Sequence, residues 1–289
     1  MGDDGLAIFE ANRRRLFGLA YRMLGEATEA EDVLQDAYLR WAGSDGVVVP
    51  EAWLTRVVTN LCLNRLTSAR ARRESYVGPW LPEPVFTGGD GLGALETVEQ
   101  RESVSLGMLL LLERLTPPER AVFVLREAFG YGHAEIAGIL DVTEERSRQL
   151  FHRARSHIGE ERRRFDTDDG QRRRIVERFL AATTSGDLEG LHKLLAEDVV
   201  AWADGGGTTA ARRPVVGHEK VLRYLVGLHR RTDGLAVEAT IAEVNGAPAM
   251  VFRLDGVLAA VIALDSVDGR VVAVRTIVNP AKLAFAAAQ

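Results

Sequence analysis

Three dipeptides constrain the fold of this chain most: Asn245-Gly246, Asp255-Gly256 and Asp268-Gly269, each set between apolar runs of strand length. A type I′ turn needs positive φ at both central residues, which Asn, Asp and Gly tolerate best, so each dipeptide predicts a tight hairpin. The flanking runs 236–244, 248–254, 257–265 and 270–278 are therefore expected to form a meander of four antiparallel strands. Such a sheet needs cover on one face. Helical patterns over Ile175 to Ser185, Asp187 to Leu195 and Glu219 to Arg230 supply it, with one more strand at Val199 to Ala203. An α+β layer, of a kind that often curls around a pocket, is expected from about Gln171 onward.

Upstream, the apolar period is that of helices. Ile8 to Met23 reads as one helix, broken at Gly25, and Thr28 with Glu31 has the capping-box spacing ahead of Val33, Leu34, Ala37, Tyr38 and Trp41. The other face of this second helix shows Glu31, Asp32, Gln35 and Asp36 with no basic residue at the next turn, an acidic surface that solvation alone also explains. After the loop Gly43 to Val49, Pro50 suits a helix first turn, and Trp53, Leu54, Val57, Val58, Leu61, Cys62 and Leu66 form a buried stripe. Opposite that stripe Arg56, Asn60 and Asn64 fall on one line. Mid-helix asparagine is a poor helix former, and its amide matches the edge of a base, so the pair points to nucleic acid.

The net charge of −5 argues against such a partner, but its distribution does not. Arg56, Arg65, Arg70, Arg72 and Arg73 form a run without acids, and seven arginines lie between Arg146 and Arg164 against Glu160 and Glu161. Beyond about 8 Å charges are largely screened at physiological salt, so the local field governs phosphate binding. An ordinary solvated helix surface accounts for either run taken alone.

Between Tyr76 and Gly93 three prolines and five glycines interrupt regular structure. Trp80-Leu81-Pro82-Glu83-Pro84 would expose apolar surface in a free tether and is expected to dock. Helical pattern resumes over Leu109 to Leu115, and Thr116 to Glu119 caps a helix over Arg120 to Phe129. His133 to Leu140, a turn at Asp141-Val142 and a helix from Thr143 then give a helix-turn-helix. In its second helix Leu150, Phe151, Ala154 and Ile158 face inward. Arg148, Gln149, His152, Arg153 and Arg155 face outward, with the chemistry of a major-groove reader.

The single Cys62 supports neither an internal disulfide nor a thiolate metal cage, no apolar run reaches bilayer length, and Met1 to Glu10 is acidic rather than a basic leader. A cytoplasmic chain without cofactor, metal or membrane attachment is expected. Gly205 to Gly207 lacks the spacing of a phosphate cradle.

The strings EDVLQDAYLRW at 31–41, WLTRVVTNLCLNRL at 53–66 and GYGHAEIAGILDV with FHRAR within 130–155 resemble, in order, the extracytoplasmic-function branch of the sigma-70 family of RNA polymerase initiation factors. The last unit, from about Gln171 onward, resembles a SnoaL-like, ketosteroid-isomerase-like cone, and WLPEP, WADGGG at 202–207 and NPAKL at 279–283 together resemble the subgroup carrying that domain. The resemblance implies a multidomain chain: all-α sigma domain 2 over 1–75, a linker over 76–104, sigma domain 4 over 105–165, and an α+β cone with a curved antiparallel sheet over 166–289. It implies that Glu31, Asp32, Gln35 and Asp36 meet core RNA polymerase, and that Asn60 and Asn64 with the loop Gly43 to Val49 hold a base flipped from the minus-10 strand. Arg148, Gln149, His152 and Arg153 would read the minus-35 element, although Glu144 and Glu145 stand where small or neutral residues are usual. The cone would regulate in cis, through Trp80, Leu81, Pro82 and Glu83 against Asp204, Gly205, Gly206, Gly207, Asn279, Pro280, Lys282 and Leu283, without a separate anti-sigma protein and with room for a small-molecule ligand.

Two other readings stay open. A ligand-sensing repressor needs only the helix-turn-helix, but has no use for the Asn60 and Asn64 line or for the acidic face. An isomerase or cyclase fused to a DNA-binding module needs an acid/base pair, for which Asp204, His218, His229 and Arg275 are the candidates, none in a motif that fixes a catalytic geometry.

Overall fold

The computed structural model describes residues 3–88, 98–159, 168–207, 210–232 and 236–289. The chain divides into two units, Met1–Glu74 with Gly89–Gly159, and Ser75–Gly88 with Glu160–Gln289.

The first unit is helical: α1 (Asp3–Leu24), α2 (Ala27–Ala42), α3 (Pro50–Glu74), α4 (Val98–Glu102), α5 (Leu106–Leu112), α6 (Pro117–Glu127), α7 (His133–Leu140) and α8 (Glu144–Ile158). Gly25, at φ +71°, closes α1 with a bond from its N–H to Tyr21 O. Glu26 is already extended and caps α2, so Thr28 lies inside the first turn rather than at the cap read from its spacing to Glu31. The one-residue link after Gly25 forces that early start. Likewise α5 begins at Leu106, where Ser105 Oγ accepts from Met108 N, and not at Leu109, because a capped N–H outweighs the apolar pattern. The helix-turn-helix forms as expected. Asp141 takes the left-handed conformation (φ +56°) that ends α7, and Thr143 Oγ accepts from Arg146 N to start α8.

Two buried arginines tie α1 to the later helices of this unit. Arg22, 3% exposed, donates to Ser103 Oγ at 2.8 Å and Gly18 O at 2.9 Å, and stacks over Phe129. Arg120, 2% exposed, donates to Arg22 O and to Glu113. Burial pushes the guanidinium of Arg22 down to about 10 and that of Arg120 down to about 9, the cost of desolvation being offset by these bonds.

The second unit comprises α9 (Asp169–Ser185), α10 (Leu188–Leu194), β1 (Leu195–Asp204), β2 (Val215–Val216), α11 (His218–Thr232), β3 (Val237–Val244), β4 (Ala247–Leu254), β5 (Val257–Val267), β6 (Arg270–Ile277) and α12 (Pro280–Ala287). The meander β3 to β6 is antiparallel, and all three turn dipeptides have positive φ at both residues, from +50° to +79°. The whole sheet, ordered β2-β1-β6-β5-β4-β3, is mixed rather than antiparallel because β1 runs parallel to β6. A parallel pair needs a long crossover, which hairpin dipeptides do not encode. Ile175, Phe179, Leu191, Val199, Val221 and Met250 are among the side chains that seat the helices on the sheet. No helix among the described residues is long and apolar enough to cross a membrane.

Candidate nucleic-acid interface

Along α3 Leu54, Val58, Leu61, Cys62 and Leu66 of the apolar stripe are buried and Trp53 and Val57 half-buried, while on the opposite line Arg56, Asn60 and Asn64 are all exposed. The arginine run beyond them is a different matter. Arg65 donates to Glu29 at 2.7 Å and Asp36 at 2.9 Å, and lies 3.5 Å from Asp32. Burial opposes the Arg65 charge, but the bonds it donates to Glu29 and Asp36 outweigh that and push its guanidinium up. Arg73 pairs with Glu113 and Glu26 and donates to Leu24 O. Both belong to helix packing, which corrects the sequence reading of a free basic run; Arg70 and Arg72 lie outside the described side chains.

The same contacts correct the acidic face. Glu31 pairs with Arg13 at 2.5 Å, while Asp32 and Asp36 face Arg65, and Gln35 is exposed. Helical spacing showed no basic neighbour because the partners come from α1 and α3, far off in sequence.

On α8, Leu150, Ala154 and Ile158 are buried and Arg148, Gln149, His152, Arg153 and Arg155 are exposed. Glu144 pairs with Arg148 at 2.5 Å, and Glu145 accepts weakly from Gln149 at 3.4 Å. Two of the outward side chains thus rest on acids one turn earlier. Buried Ser147, unnoticed in the sequence, bonds His133 Nδ1 at 2.9 Å and fixes the two helices to each other. Desolvation first, then Arg126 and Arg148, hold His133 below its ordinary value of 6.5. At the base of this helix pair, burial of Glu119 favours its neutral form, but bonds from Thr116 and the nearby His157 prevail and keep its carboxyl below the usual range. Arg162 to Arg164, counted in the second basic run, lie outside the described residues.

The Pro/Gly-rich stretch packs as part of the second unit. Leu81 is 1% exposed, and Pro82, Glu83 and Pro84 are buried. Asp204, at the end of β1 and fully buried, accepts from Leu81 N at 2.8 Å, from Lys282 Nζ at 2.7 Å and from Tyr76 Oη. Lys282 also donates to Leu81 O and stands 4.3 Å from the centre of the Trp80 ring. Asn279 caps α12, with Pro280 in its first turn and Leu283 buried behind it, and donates to Tyr76 Oη at 2.9 Å. The glycine run is a matter of space: a Cβ on Gly206 would come 2.6 Å from Asn279 Nδ2, and one on Gly205 2.6 Å from Ala210 Cβ, while Gly207 sits at φ +88° beside Val77. Further along, Val85 N donates to Asn245 Oδ1 and Asn245 N to Val85 O, so the stretch is held at both ends.

The four acid/base candidates occupy different surroundings. Asp204 belongs to the cluster just described, and Arg275 pairs with Asp265 beneath Trp202. His218 and His229 lie near opposite ends of α11, about 16 Å apart at helical rise.

Sequence models agree with this division: Sigma-70 region 2 matches residues 8–72, Sigma-70 region 4 matches 106–158, and a SnoaL-like domain matches 176–279. The ECF RNA polymerase sigma factor SigJ of Mycobacterium tuberculosis is 41% identical over 82% of this chain and 78% of its own length. A probable ECF RNA polymerase sigma factor of the same species, SigI, is 32% identical over 97% of this chain and 95% of its own. The crystal structure of M. tuberculosis SigJ superposes with a TM-score of 0.77 at 36% identity, over 97% of this chain and 98% of that one. With both sigma-70 regions in place and this likeness running nearly end to end, the chain belongs to the extracytoplasmic-function sigma factors.

Proposed function

We propose that this chain binds core RNA polymerase through the α2 face bearing Asp32, Gln35 and Asp36, reads the minus-35 element with α8, and holds melted minus-10 DNA on α3. The exposed line Arg56, Asn60 and Asn64 carries the reading, since amides displayed to solvent on a helix opposite its buried stripe serve base edges and not the fold. A duplex-binding repressor has no use for that line. Elements roughly 25 base pairs apart span ~85 Å of B-DNA, while a compact unit of about 145 residues measures only ~40 Å across. Engagement therefore parts α1 to α3 from α5 to α8, at the expense of the Arg22 and Arg120 bonds.

The SnoaL-like domain is read as a regulator in cis and not as a catalyst. What supports this is the cluster at Asp204, which grips the segment joining the two sigma regions. A domain that holds that segment biases whether the regions stay together or part, and a ligand acts only through unequal affinity for the two arrangements.

The test is transcription with purified core polymerase and permanganate footprinting of the bubble. Asn60→Ala with Asn64→Ala should leave core binding intact and lower melting tenfold or more, since each lost base-edge contact costs about 1–3 kcal/mol. Melting equal to the unaltered protein, or tight sequence-specific binding by the free chain that core leaves unchanged, would overturn it.

A further inference from the structure

The last turn of α10 and the first turn of α11 bring together three side chains able to ligate a metal: His192, His218 and Glu219, with one ligand atom from each lying within 4.8 Å of the others. Gly217, at φ +96°, donates its N–H to Val199 O at 2.8 Å and so ties the start of α11 to β1. His218 is thereby turned inward and left 6% exposed. Its two ring nitrogens are both shielded from solvent, and neither has a hydrogen-bond partner. The His192 ring stands edge-on to it, centroids 4.3 Å apart at 60°, a contact that satisfies neither nitrogen. A histidine kept only for packing is a poor choice for that position, because a buried polar group without a partner is costly where an apolar ring is not.

We propose that His192, His218 and Glu219 bind a divalent transition ion of the zinc class. Two imidazoles and a carboxylate are the donors such an ion prefers; magnesium and calcium call for oxygen alone, and the softest ions call for thiolate, which the buried Cys62 of the other unit does not offer here. Four-coordinate zinc sets its nitrogen ligands about 3.3 Å apart. The three ligand atoms lie within 4.8 Å of one another, and the exposed side chains of His192 and Glu219 have the freedom to rotate to that zinc spacing. Their exposure also leaves an approach from solvent and a fourth position for water, so the ion exchanges and its occupancy follows its free concentration. The site rests on no part of the promoter-binding reading. It adds ligands where the sequence suggested none, His192 being remote from the other two along the chain.

The experiment uses the untagged full chain, freed of metal by chelator and titrated with Co²⁺, whose visible absorption reports a four-coordinate site, then with Zn²⁺ in competition. One ion per chain is expected, with a melting temperature that rises with the logarithm of free Zn²⁺ once that concentration exceeds the dissociation constant. His192→Ala should weaken binding at least tenfold and Glu219→Gln several-fold, both with the unfolding curve of the unaltered protein when metal is absent. These two side chains are exposed, so the fold does not depend on them. Lack of saturable Co²⁺ binding by the unaltered chain, or an affinity in both variants equal to that of the unaltered chain, would overturn the site.

Discussion

The outward faces of α3 and α8 and the cluster around Asp204 are built from the same kinds of side chain, yet they stand at opposite extremes of burial. Arg56, Asn60, Asn64 and Arg153 face water, and the pair of Arg148 with Glu144 is 61% and 46% exposed. Asp204 and Lys282 are 0% and 7% exposed. Exposed ion pairs contribute about 0–1 kcal/mol, so the first set is free to be spent on a partner. A buried pair that loses one member leaves an uncompensated charge, so the second set binds chain segments to each other and cannot be altered singly.

The comparison breaks most readily at Lys282. Lys282→Met leaves the Asp204 carboxylate buried without its cation, facing the Tyr76 hydroxyl and the Leu81 and Gly206 N–H groups. Stability of the second unit should fall by about 3–5 kcal/mol in urea unfolding, and Asp204→Asn added to it should restore part of that loss. A change under about 0.5 kcal/mol would mean the cluster holds nothing. On the exposed side, Arg148→Ala should leave stability within about 0.5 kcal/mol while relaxing preference at one minus-35 position by about 1–3 kcal/mol, read from a panel of promoter variants. Uniform weakening across the panel would assign Arg148 to phosphate.

The smallest effect is one of pH and falls between the two extremes, at partly buried His133. Its value in the fold lies below the ordinary 6.5, so between the two values the unfolded chain binds more protons. Stability is then complete above about pH 6.5 and declines as pH falls from there toward the folded value. Melting of the α7 and α8 pair followed by circular dichroism should show that slope, and His133→Gln should flatten it. An opposite slope would place the proton on the folded side.

Much of this was legible in the sequence wherever neighbours along the chain decide the outcome. The hairpin dipeptides, the Thr116 to Glu119 cap and the Thr143 start of α8 depend on bonds three or four residues long. The docking of Trp80 and Leu81 was legible for a different reason: exposed apolar side chains in a tether have to go somewhere, although nothing local says where. Thr28 misled because the helix start was set by Gly25 and the short link after it rather than by the capping pattern.

What the sequence determined by itself is the period of each segment, its turns and its outward-facing amides, since those follow from covalent geometry and the nearest few residues. Tertiary structure alone decided which charges remain free. Arg65 and Arg73 read as a basic run and are paired with acids of other helices, and Arg22 and Arg120, which no local pattern singled out, are buried. Only the pairing of β1 with β6 and the seating of α11 on β1 brought Asp204 to Lys282 and His218 to His192. A charge is set by what surrounds it in space, and helices packed from distant parts of the chain supply neighbours that no local spacing records.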